Sequence, residues 1–370
     1  MMQILVTGAK GFIGRNLIAT LNEFPNHTIF SADKETSDED LRESIIGCDF
    51  IIHLAGVTRS EKIEDFYLGN VGSIQLIIET LIEHQLNTPI LMTSSIHAEL
   101  DSPYGQSKEI AEECLINYHL ATGAPIYIYR LTNVFGKWCR PNYSSVVATF
   151  CYQIAREEEI WISDPSKTLN LVFIDDVIHS FIDTITQKKQ TTELYLNVLP
   201  MYSVTLNQLV TYLNHFHESR KSGEIPDMKD AFIKKLYSTY LSYLPQNEFV
   251  YPLKIKGDQM ETFTDFVSTN NLGQISINVL KPGIKNGNHW HHLKVEKVLV
   301  VSGHGVIRIR QVYDEEMTNI FVSGEKLEVV DIPVGYTHQI ENLGSSDLIV
   351  IIWCNEKFDP EHIDTYHLDV

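Results

Sequence analysis

The order of hydrophobic and polar residues predicts alternating strands and helices over the first 135 residues. Apolar runs of strand length recur as QILVTG, TIFSAD, CDFIIHLAG, PILMTSS and PIYIYRLTNVFG. Between them, FIGRNLIATLNEF, NVGSIQLIIETLIEHQ and a segment that begins near YGQSKEIAEECLINYHL place apolar residues at helical spacing. Strands that alternate with helices form a parallel sheet covered on both faces. We therefore expect a doubly wound α/β fold in this part of the chain.

The pattern changes after about residue 245, where one strand follows another. The runs are QISINVL, KVEKVLVVSGHGVIRIRQV, NIFVSGEKLEVVDIPVG, THQIEN and DLIVIIWCN, separated by Gly, Pro, Asn and Asp. This pattern predicts an all-β module, either a sandwich or a barrel. The helical segment SRKSGEIPDMKDAFIKKLYSTYLSYLPQNEF comes before it, so we place the boundary next to Pro245, with domains 1–244 and 245–370.

The overall composition narrows the class of protein. A chain of 370 residues is long enough for two domains. Hydrophobic residues make up 44% of it, too many for a disordered chain. The net charge of -19 argues against a nucleic-acid partner, because such a partner requires a basic patch. The same charge is typical of an acidic cytoplasmic surface.

Cysteine usage and the length of the apolar runs indicate a cytoplasmic location. The five cysteines form no CxxC pair, so we expect reduced thiols rather than disulfides or a thiolate zinc site. They are Cys48, Cys114, Cys139, Cys151 and Cys354. Lys10 and the surrounding glycines interrupt the first apolar run, so we expect no signal peptide. No run approaches the roughly 18–20 apolar residues of a membrane helix, and we expect no membrane partner.

A glycine-rich turn follows the first predicted strand and opens the first predicted helix. Gly8, Gly11 and Gly14 are spaced as GxxGxxG, with Phe12 and Ile13 between the last two. Glycines at such a turn let a pyrophosphate approach the backbone and lie on the helix N-terminus. The alternative is a plain strand-to-helix turn, since the spacing differs from the more common GxGxxG.

A second motif, SSIHAELDSPYGQSK, contains Ser95, Tyr104 and Lys108. Tyr104 and Lys108 are four residues apart and share one face of a helix. A phenol with a pKa of about 10 requires a nearby cation to work near pH 7, and Lys108 would supply it. Ser95 would hydrogen-bond a substrate carbonyl. Such a pair also occurs by chance in helices where the tyrosine only packs, but the glycine turn favours a catalytic role.

With these motifs, the first 240 or so residues resemble the extended short-chain dehydrogenase/reductase family, which has a Rossmann-like fold. HLAG, from His53 to Gly56, is similar to the family's turn near the adenine and ribose. Asn70 in GNVGS matches a helix asparagine that supports the active-site water chain. Asn133 in RLTNVFG matches a substrate-loop residue near a nucleotide-sugar phosphate. In LVFIDDV, Phe173 replaces the family's usual histidine, so only Asp176 carries over, as a structural residue.

The resemblance implies a nicotinamide cofactor and, for most extended members, a nucleotide-sugar substrate. The implied catalytic residues are Ser95, Tyr104, Lys108 and Asn70, and the implied substrate contacts are Ser95 and Asn133. The implied cofactor contacts are Gly8, Gly11, Phe12, Ile13, Gly14, Asp33, Leu54, Ala55, Gly56, Tyr104 and Lys108.

The residues near the second strand leave the choice of cofactor open. Asp33 ends that strand, where a carboxylate hydrogen-bonds the ribose 2′-hydroxyl of NAD and repels the 2′-phosphate of NADP. Arg15 and Lys34 are nearby cations that would favour NADP instead. The residues alone favour NAD slightly, whereas a biosynthetic reductase would favour NADPH.

The C-terminal module carries a histidine cluster, NHWHHLKVEKVLVVSG. His289, His291 and Glu296 lie in this stretch, and His338 follows in PVGYTHQIEN. These spacings are similar to the two signature motifs of the cupin (jelly-roll barrel) family, except that Leu327 stands where the second motif begins with glycine. The resemblance covers roughly the last 110 residues.

Strand geometry supports a metal site in that module. Residues two apart on a strand face the same side, so His289 and His291 point into the barrel and His292 points away. Glu296 and His338 would converge from neighbouring strands. Three imidazoles and a carboxylate suit zinc, iron, manganese, nickel or copper, and zinc is our first expectation. The alternatives are a surface histidine cluster and a metal-free barrel. Tyr336 is a candidate proton donor, although packing is the simpler interpretation of it.

Both halves together resemble the bifunctional capsular polysaccharide biosynthesis enzymes, in which such a reductase is fused to a cupin. The resemblance implies that the barrel epimerises C3 of a UDP-4-keto-6-deoxy-N-acetylhexosamine and that the reductase reduces C4 with NADPH, on the route to UDP-N-acetyl-L-fucosamine. It also implies a homodimer or a higher homo-oligomer. Two alternatives stay open: a barrel that only binds sugar or drives dimerisation, and a metal-dependent oxygenase or isomerase barrel.

Overall fold

The computed structural model describes residues 2–24, 26–187, 193–269 and 272–370. Contacts group the chain into two compact units. The first comprises Met1–Asn214 and Lys235–Pro245, and the second comprises His215–Lys234 and Gln246–Val370. The segment 215–234 groups with the second unit because Ile225 N donates to Ser268 O and Ser268 N donates to Gly223 O, both at 2.8 Å. The predicted boundary at 244/245 differs from this grouping mainly in that segment, and it stays a prediction.

A parallel sheet, six-stranded in the described residues, forms the centre of the first unit. Its strands are β1 (Met2–Thr7), β2 (His27–Ala32), β3 (Phe50–His53), β4 (Ile90–Ser95), β5 (Ile126–Leu131) and β8 (Tyr195–Leu196). The order is β2-β1-β3-β4-β5-β8, and every neighbouring pair is parallel. The order reverses direction between β1 and β3. In open sheets of this kind, ligands bind at the carboxyl ends of the strands beside such a reversal.

Helices cover both faces of this sheet. The α-helices in the described residues are α1 (Phe12–Leu21), α2 (Asp38–Gly47), α3 (Ile63–Phe66), α4 (Ser73–Glu83), α5 (Pro103–Thr122), α6 (Val146–Ile154), α7 (Ile174–Gln187), α8 (Leu206–Ser222) and α9 (Ala231–Leu241). Ile4 and Val6 of β1 pack with Leu17 of α1 and Phe181 of α7. Leu5 points to the opposite face, where Leu115 of α5 belongs to a second buried cluster. The predicted doubly wound, Rossmann-like parallel sheet is therefore confirmed.

One predicted strand was wrong in its extent. PIYIYRLTNVFG is divided, because β5 ends at Leu131 and a separate strand, β6 (Asn133–Phe135), joins a different sheet. That smaller sheet contains β6, β7 (Thr168–Phe173) and β9 (Met201–Thr205). The chain leaves the main sheet after β5 and thereby places Asn133 at a new edge.

The described helices include none with the length and apolar character to cross a membrane.

The second unit is built from antiparallel sheets, as the strand pattern predicted. Its strands are β10 (Ile255–Gly257), β11 (Glu261–Thr269), β12 (Gly273–Leu280), β13 (Lys285–Trp290), β14 (Glu296–Ser302), β15 (His304–Gln311), β16 (Thr318–Ser323), β17 (Val329–Ile332), β18 (Tyr336–Asn342), β19 (Leu348–Cys354) and β20 (Tyr366–His367). One sheet has the order β10-β11-β12-β19-β14-β17 and the other β16-β15-β18-β13-β20.

The interior of this unit changes character along its strands. An apolar cluster fills one end, with Leu280 of β12, Val298 of β14 and Ile340 of β18 among its buried members. Towards the other end, the same strands place Asn278, Glu296 and His338 at buried positions. An interior that turns polar at one end is typical of a barrel that holds a ligand.

Candidate functional sites

The glycine turn after β1 lies against the end of β3. Gly8 has a positive φ of 66°, and a Cβ there would lie 2.7 Å from Ala55 N and 2.8 Å from Leu54 O. A Cβ on Gly14 would lie 2.3 Å from Gly8 O. Gly11 is the N-cap of α1, and no side chain in the described residues caps this helix. The turn therefore leaves helix N–H groups, at the positive end of α1, for the phosphates of a dinucleotide.

An ion pair that the sequence analysis missed lies beside this turn. Lys10 Nζ lies 2.8 Å from Asp33 Oδ2 and 2.6 Å from Glu35 Oε2. The hydrogen bond from Lys10 holds the pKa of Asp33 below its usual range, so this carboxylate is charged at neutral pH. Lys10 is largely exposed, and its charge partly neutralises the two carboxylates beside the turn. A lysine inside the GAKG turn was the signal available in the sequence.

Ser95, Tyr104 and Lys108 come together at the carboxyl end of the sheet. Ser95 is the last residue of β4, and Tyr104 and Lys108 lie in the first turns of α5. Ser102 caps α5 by accepting a hydrogen bond from Gly105 N at 3.1 Å, which fixes where the helix begins. Lys108 Nζ donates to the main-chain oxygen of Thr93 at 3.2 Å.

Burial sets the protonation of two of these groups. It raises the pKa of Tyr104, and the hydrogen bond with Ser95 offsets this only in part. It lowers the pKa of Lys108 to about 8, although Glu112 favours the charged form. The expected lowering of the Tyr104 pKa by Lys108 is therefore not found, because desolvation of the phenolate dominates. A protonated phenol is the form that can donate a proton.

Asn70 lies in a π-helical segment, Tyr67–Gly72, and is buried. Its Oδ1 accepts from Val57 N at 2.9 Å, and its Nδ2 donates to Val57 O at 3.1 Å and to Ser107 Oγ at 2.9 Å. A Cβ on Gly56 would lie 2.7 Å from Asn70 Oδ1. The Asn70 amide thus fixes the loop after β3 to α5, and its place in a water chain stays a prediction.

A cleft of about 320 Å³ contains many of the predicted residues. Its walls include Phe12, Ile13, Gly56, Ser95, Tyr104 and Lys108. Asn133 also lines it, and Asn133 Nδ2 donates to Asn170 O at 3.3 Å. Gly8, Gly11, Gly14, Leu54, Ala55 and Asp33 follow strands of the same sheet at the same edge. The helix terminus, the glycine cradle and the cleft fit a nicotinamide dinucleotide.

Asp176 pairs with Lys235 at 2.6 Å, in line with the structural role expected of it.

A cluster of potential metal ligands lies in the second unit. One ligand atom from each of His289, His291, Glu296 and His338 lies within 4.8 Å of the others. His338 Nε2 is 3.1 Å from Glu296 Oε2, and His291 Nε2 is 3.4 Å from Glu296 Oε1. His291 Nε2 and His338 Nδ1 are buried without a hydrogen-bond partner in the described part of the chain. Buried nitrogen atoms without partners, in a set of three imidazoles and a carboxylate, fit a divalent transition metal.

The local backbone explains how these side chains converge. β13 pairs with β18, and a register shift between Gly287 and His289 places His289 opposite His338. β13 ends at Trp290, so His291 belongs to the following loop rather than to a regular strand. His292 is exposed and lies with its ring centroid 4.5 Å from that of Trp290.

Two other predicted positions have simple structural explanations. Tyr336 is not among the described residues that line the cavity beside the metal cluster, and its hydroxyl accepts from Gln311 Nε2 at 2.7 Å. Leu327, which replaces a glycine of the cupin pattern, has a positive φ of 50°. This left-handed conformation is the one that glycine adopts most readily, which accounts for the glycine in the pattern.

Charges in the cluster favour metal binding. Burial alone would raise the pKa of Glu296, but the imidazoles of His291 and His338, 3.4 Å and 3.1 Å from its carboxylate oxygens, hold it well below its usual range. Burial, together with the neighbouring His338, lowers the pKa of His289 to about 4. An ionised carboxylate and a neutral imidazole are the forms that ligate a metal.

Asp364 supports this cluster and was missed by the sequence analysis. Its main-chain oxygen accepts a hydrogen bond from His291 Nδ1, which leaves Nε2 with its lone pair. Its carboxylate accepts from the backbone N–H groups of His292, Leu293 and Lys294 at 2.8–2.9 Å. Burial would raise the pKa of Asp364, but these three hydrogen bonds lower it to about 2. The sequence held no motif that pointed to this residue.

A cavity of about 470 Å³ opens beside the cluster. Three of the candidate ligands line it, His289, Glu296 and His338, together with Lys294 and the ring of Phe263. The volume is within the range of small-molecule sites, and the cluster lies in its wall.

Comparison with known proteins defines the class of the first unit. A family model described as the NAD dependent epimerase/dehydratase family matches residues 4–196, more than half of the 370-residue chain. The chain belongs to this family, which implies a nicotinamide cofactor. A second model, described as the polysaccharide biosynthesis C-terminal domain, matches residues 256–366.

Individual relatives extend the likeness over the whole chain. The chain is 42% identical over 369 residues to the UDP-2-acetamido-2,6-beta-L-arabino-hexul-4-ose reductase of Pseudomonas aeruginosa, covering 100% of this chain and 99% of that protein. The crystal structure of the capsular polysaccharide assembling protein CapF from Staphylococcus aureus matches with a TM-score of 0.92 and 48% identity, over 100% of both chains. A UDP-glucose 4-epimerase from Thermotoga maritima covers 65% of this chain and 98% of its own, with a TM-score of 0.56 and 20% identity, which shows the fold alone.

Proposed function

We propose that this chain is a two-site nucleotide-sugar enzyme of capsular polysaccharide synthesis. An extended short-chain reductase domain, residues 1–244, reduces the C4 ketone of a UDP-4-keto-6-deoxy-N-acetylhexosamine with NADPH. A cupin domain, residues 245–370, epimerises C3 of the same sugar on the route to UDP-N-acetyl-L-fucosamine. The observation that carries the proposal is the pair of separate clefts, one lined by Ser95, Tyr104 and Lys108 and the other by the His/Glu cluster.

The relatives support the choice of substrate. The name of the Pseudomonas aeruginosa protein describes a reductase of a 4-keto, 2-acetamido UDP-sugar, and its likeness spans both units. The matched C-terminal family is described by polysaccharide biosynthesis. We therefore assign a UDP-sugar as the substrate of this chain.

The reductase residues have defined tasks in this proposal. The bound nicotinamide supplies the hydride. Ser95 hydrogen-bonds the C4 carbonyl oxygen, and Tyr104, whose phenol burial keeps protonated, donates the proton that completes the alcohol. Lys108 places positive charge beside Tyr104 and binds the nicotinamide ribose. Lys10, beside Asp33, binds the 2′-phosphate, so we propose NADPH rather than NADH.

The barrel residues hold a divalent metal, which we propose to be zinc. His289, His291, Glu296 and His338 are the ligands. A metal at this position supplies Lewis-acid stabilisation of negative charge that develops on the sugar ketone. A carbonyl at C4 acidifies the hydrogen at C3, and inversion requires removal of that proton and its return to the opposite face. We further propose a homodimer, which the resemblance to the bifunctional capsular enzymes implies. We also propose a cytoplasmic location, in keeping with the five free thiols and the net charge of -19.

NADPH oxidation by a UDP-4-keto-6-deoxy-N-acetylhexosamine tests the reductase assignment. Tyr104→Phe is expected to lower the rate by about 10²–10⁴-fold, the usual size of a lost general acid. Tyr67→Phe is the matched control, because the Tyr67 hydroxyl donates to Gln106 Oε1 at the surface. Equal rates in Tyr104→Phe and the wild type would remove the assignment.

One observation favours a second candidate, in which the barrel only binds sugar. The name of the Pseudomonas aeruginosa relative describes a reductase and no epimerase. Metal analysis and isotope exchange separate the candidates. Zinc bound together with exchange at C3 supports the epimerase, iron favours an oxygenase, and a lack of exchange favours a binding module.

A further inference from the structure

Strand β12 has an inverted pattern of polar and apolar residues. Gln274, Ser276 and Asn278 are buried inside the second unit, with exposed fractions of 7%, 1% and 1%. The alternating apolar residues, Ile275 and Ile277, are only partly buried. In a strand that serves only as a core element, the apolar set would point inward. All three buried polar residues line the cavity that contains the metal cluster.

In two of these three side chains, every polar atom already has a hydrogen-bond partner. Asp265 Oδ1 accepts hydrogen bonds from Gln274 Nε2 and from Ser276 Oγ. The remaining amide oxygen of Gln274 accepts from Phe358 N at 3.2 Å. Gln274 and Ser276 therefore line the cavity with polar groups whose hydrogen bonds are made within the protein.

Asn278 is different, because one half of its amide is bound and the other is not. Asn278 Nδ2 donates to Glu261 Oε1 at 3.3 Å. A carboxylate oxygen only accepts, so this contact fixes the amide with Nδ2 towards Glu261 and Oδ1 away from it. Asn278 Oδ1 is buried and has no hydrogen-bond partner in the described part of the chain. A buried carbonyl oxygen without a partner is costly and rare in folded proteins.

We propose that Asn278 Oδ1 accepts a hydrogen bond from an N–H or O–H group of the keto sugar and so selects a substrate that carries a donor at this position. The inference rests on the proposed function, since it takes the cavity beside the metal cluster as the sugar site. The sugar donor completes the hydrogen bonding of an oxygen for which the described residues provide no donor. The acetamido N–H and a ring hydroxyl are the two sources of such a donor.

The main test measures solvent deuterium exchange into the keto sugar without NADPH, as a function of sugar concentration. Asn278→Leu keeps a side chain of similar size and removes the acceptor. We expect the KM for exchange to rise about tenfold, with metal content and melting temperature unchanged. Gln311→Leu is the comparison variant, because the Gln311 amide donates to the Tyr336 hydroxyl at 2.7 Å and Gln311 is not among the described residues that line the cavity. An equal rise in both variants, or no rise in Asn278→Leu, would overturn the inference. If Asn278→Leu fails to fold, Asn278→Ala, which also lacks an acceptor, takes its place.

The effect of Asn278→Leu on the KM, measured with two different sugars, identifies the group that donates to Asn278. With a 2-acetamido and a 2-deoxy UDP-4-keto sugar, a KM rise confined to the acetamido sugar identifies its N–H as the donor. A rise with both sugars identifies a hydroxyl. Both results support acceptance by Asn278.

A binding measurement separates this inference from the proposed function. In full-length protein labelled with ¹⁵N-asparagine, the Asn278 side-chain signal is identified by its loss in the variant. A shift of that signal on addition of the 2-acetamido UDP-4-keto sugar supports the inference, even if the wild type shows no exchange and the epimerase assignment fails. Exchange in the wild type without a shift or a KM change removes the inference and leaves the epimerase in place.

Discussion

His291 and Asp364, 73 positions apart in the chain, are joined by a hydrogen bond from the imidazole Nδ1 to the main-chain oxygen of Asp364. The Asp364 carboxylate meanwhile holds the three backbone N–H groups that follow His291. One residue near the C-terminus thus sets both the tautomer of a proposed ligand and the conformation of the loop that carries it. Partners of this kind typically contribute 10–100-fold to metal affinity.

Asp364→Ala keeps the main-chain oxygen but removes the carboxylate that holds the loop after His291. We expect it to weaken zinc binding by about tenfold, measured by competition with a chelator. Asp359→Ala is the matched control, because Asp359 lies in the same segment and its carboxylate pairs with the exposed His362 at 2.9 Å. Equal zinc affinities in the two variants would contradict the supporting role of Asp364.

Cofactor preference is expected to depend on Lys10. Lys10→Ala removes the cation beside Asp33 and leaves a bare carboxylate, which repels a 2′-phosphate. The ratio of KM for NADPH to KM for NADH should rise by about tenfold, the factor that corresponds to about 1.4 kcal/mol. Lys34→Ala, which removes a neighbouring lysine, should change the ratio less. A ratio unaffected by Lys10→Ala would contradict the assignment of the 2′-phosphate site.

The pH dependence of reduction is expected to follow Lys108. Burial lowers its pKa to about 8, so its charge is present below that pH and is lost as pH rises through it. We expect kcat/KM for the reductase to fall above about pH 8. In Lys108→Arg, the guanidinium stays charged, so the activity that remains should persist to higher pH. An unchanged alkaline limb in Lys108→Arg would assign this limb to another group.

The glycine turn gives a steric prediction. Gly14→Ala places a Cβ 2.3 Å from Gly8 O, so the turn must shift and dinucleotide affinity should fall at least tenfold. Gly47→Ala is the control, because a Cβ there meets nothing within 4 Å. Fluorescence titration with NADPH measures both variants. Normal affinity in Gly14→Ala would show that the cofactor does not depend on this turn.

Local patterns predicted much of the fold. The parallel sheet followed from apolar runs such as QILVTG, and the antiparallel sheets from the strand-rich C-terminal third. The break at Thr132 was missed because the apolar residues of PIYIYRLTNVFG fit a single strand. The segment is divided because β5 and β6 pair with strands of different sheets. The coupling of 215–234 to the second unit was missed because backbone hydrogen bonds to Ser268 leave no pattern in the sequence.

The candidate sites were predictable where ligating or catalytic residues follow a spacing rule. The spacing pointed to His289, His291, Glu296 and His338, and the structure brings them together. The role of Asp364 could not be predicted, because every residue has a main-chain oxygen and no sequence pattern marks the one that His291 contacts. The alternation of polar and apolar residues in QISIN predicts that Asn278 shares one strand face with Gln274 and Ser276. It does not predict that this polar face is the buried one. The pKa of Tyr104 depends on burial, which a motif does not reveal.

The central claim, two separable active sites in one chain, is tested most directly by deuterium exchange into the UDP-4-keto sugar without NADPH. The account predicts that the wild type and Tyr104→Phe exchange equally, while Tyr104→Phe has lost NADPH oxidation. It further predicts that His338→Ala abolishes exchange. Exchange that requires Tyr104, or that survives the combined loss of His289, Glu296 and His338, would contradict it.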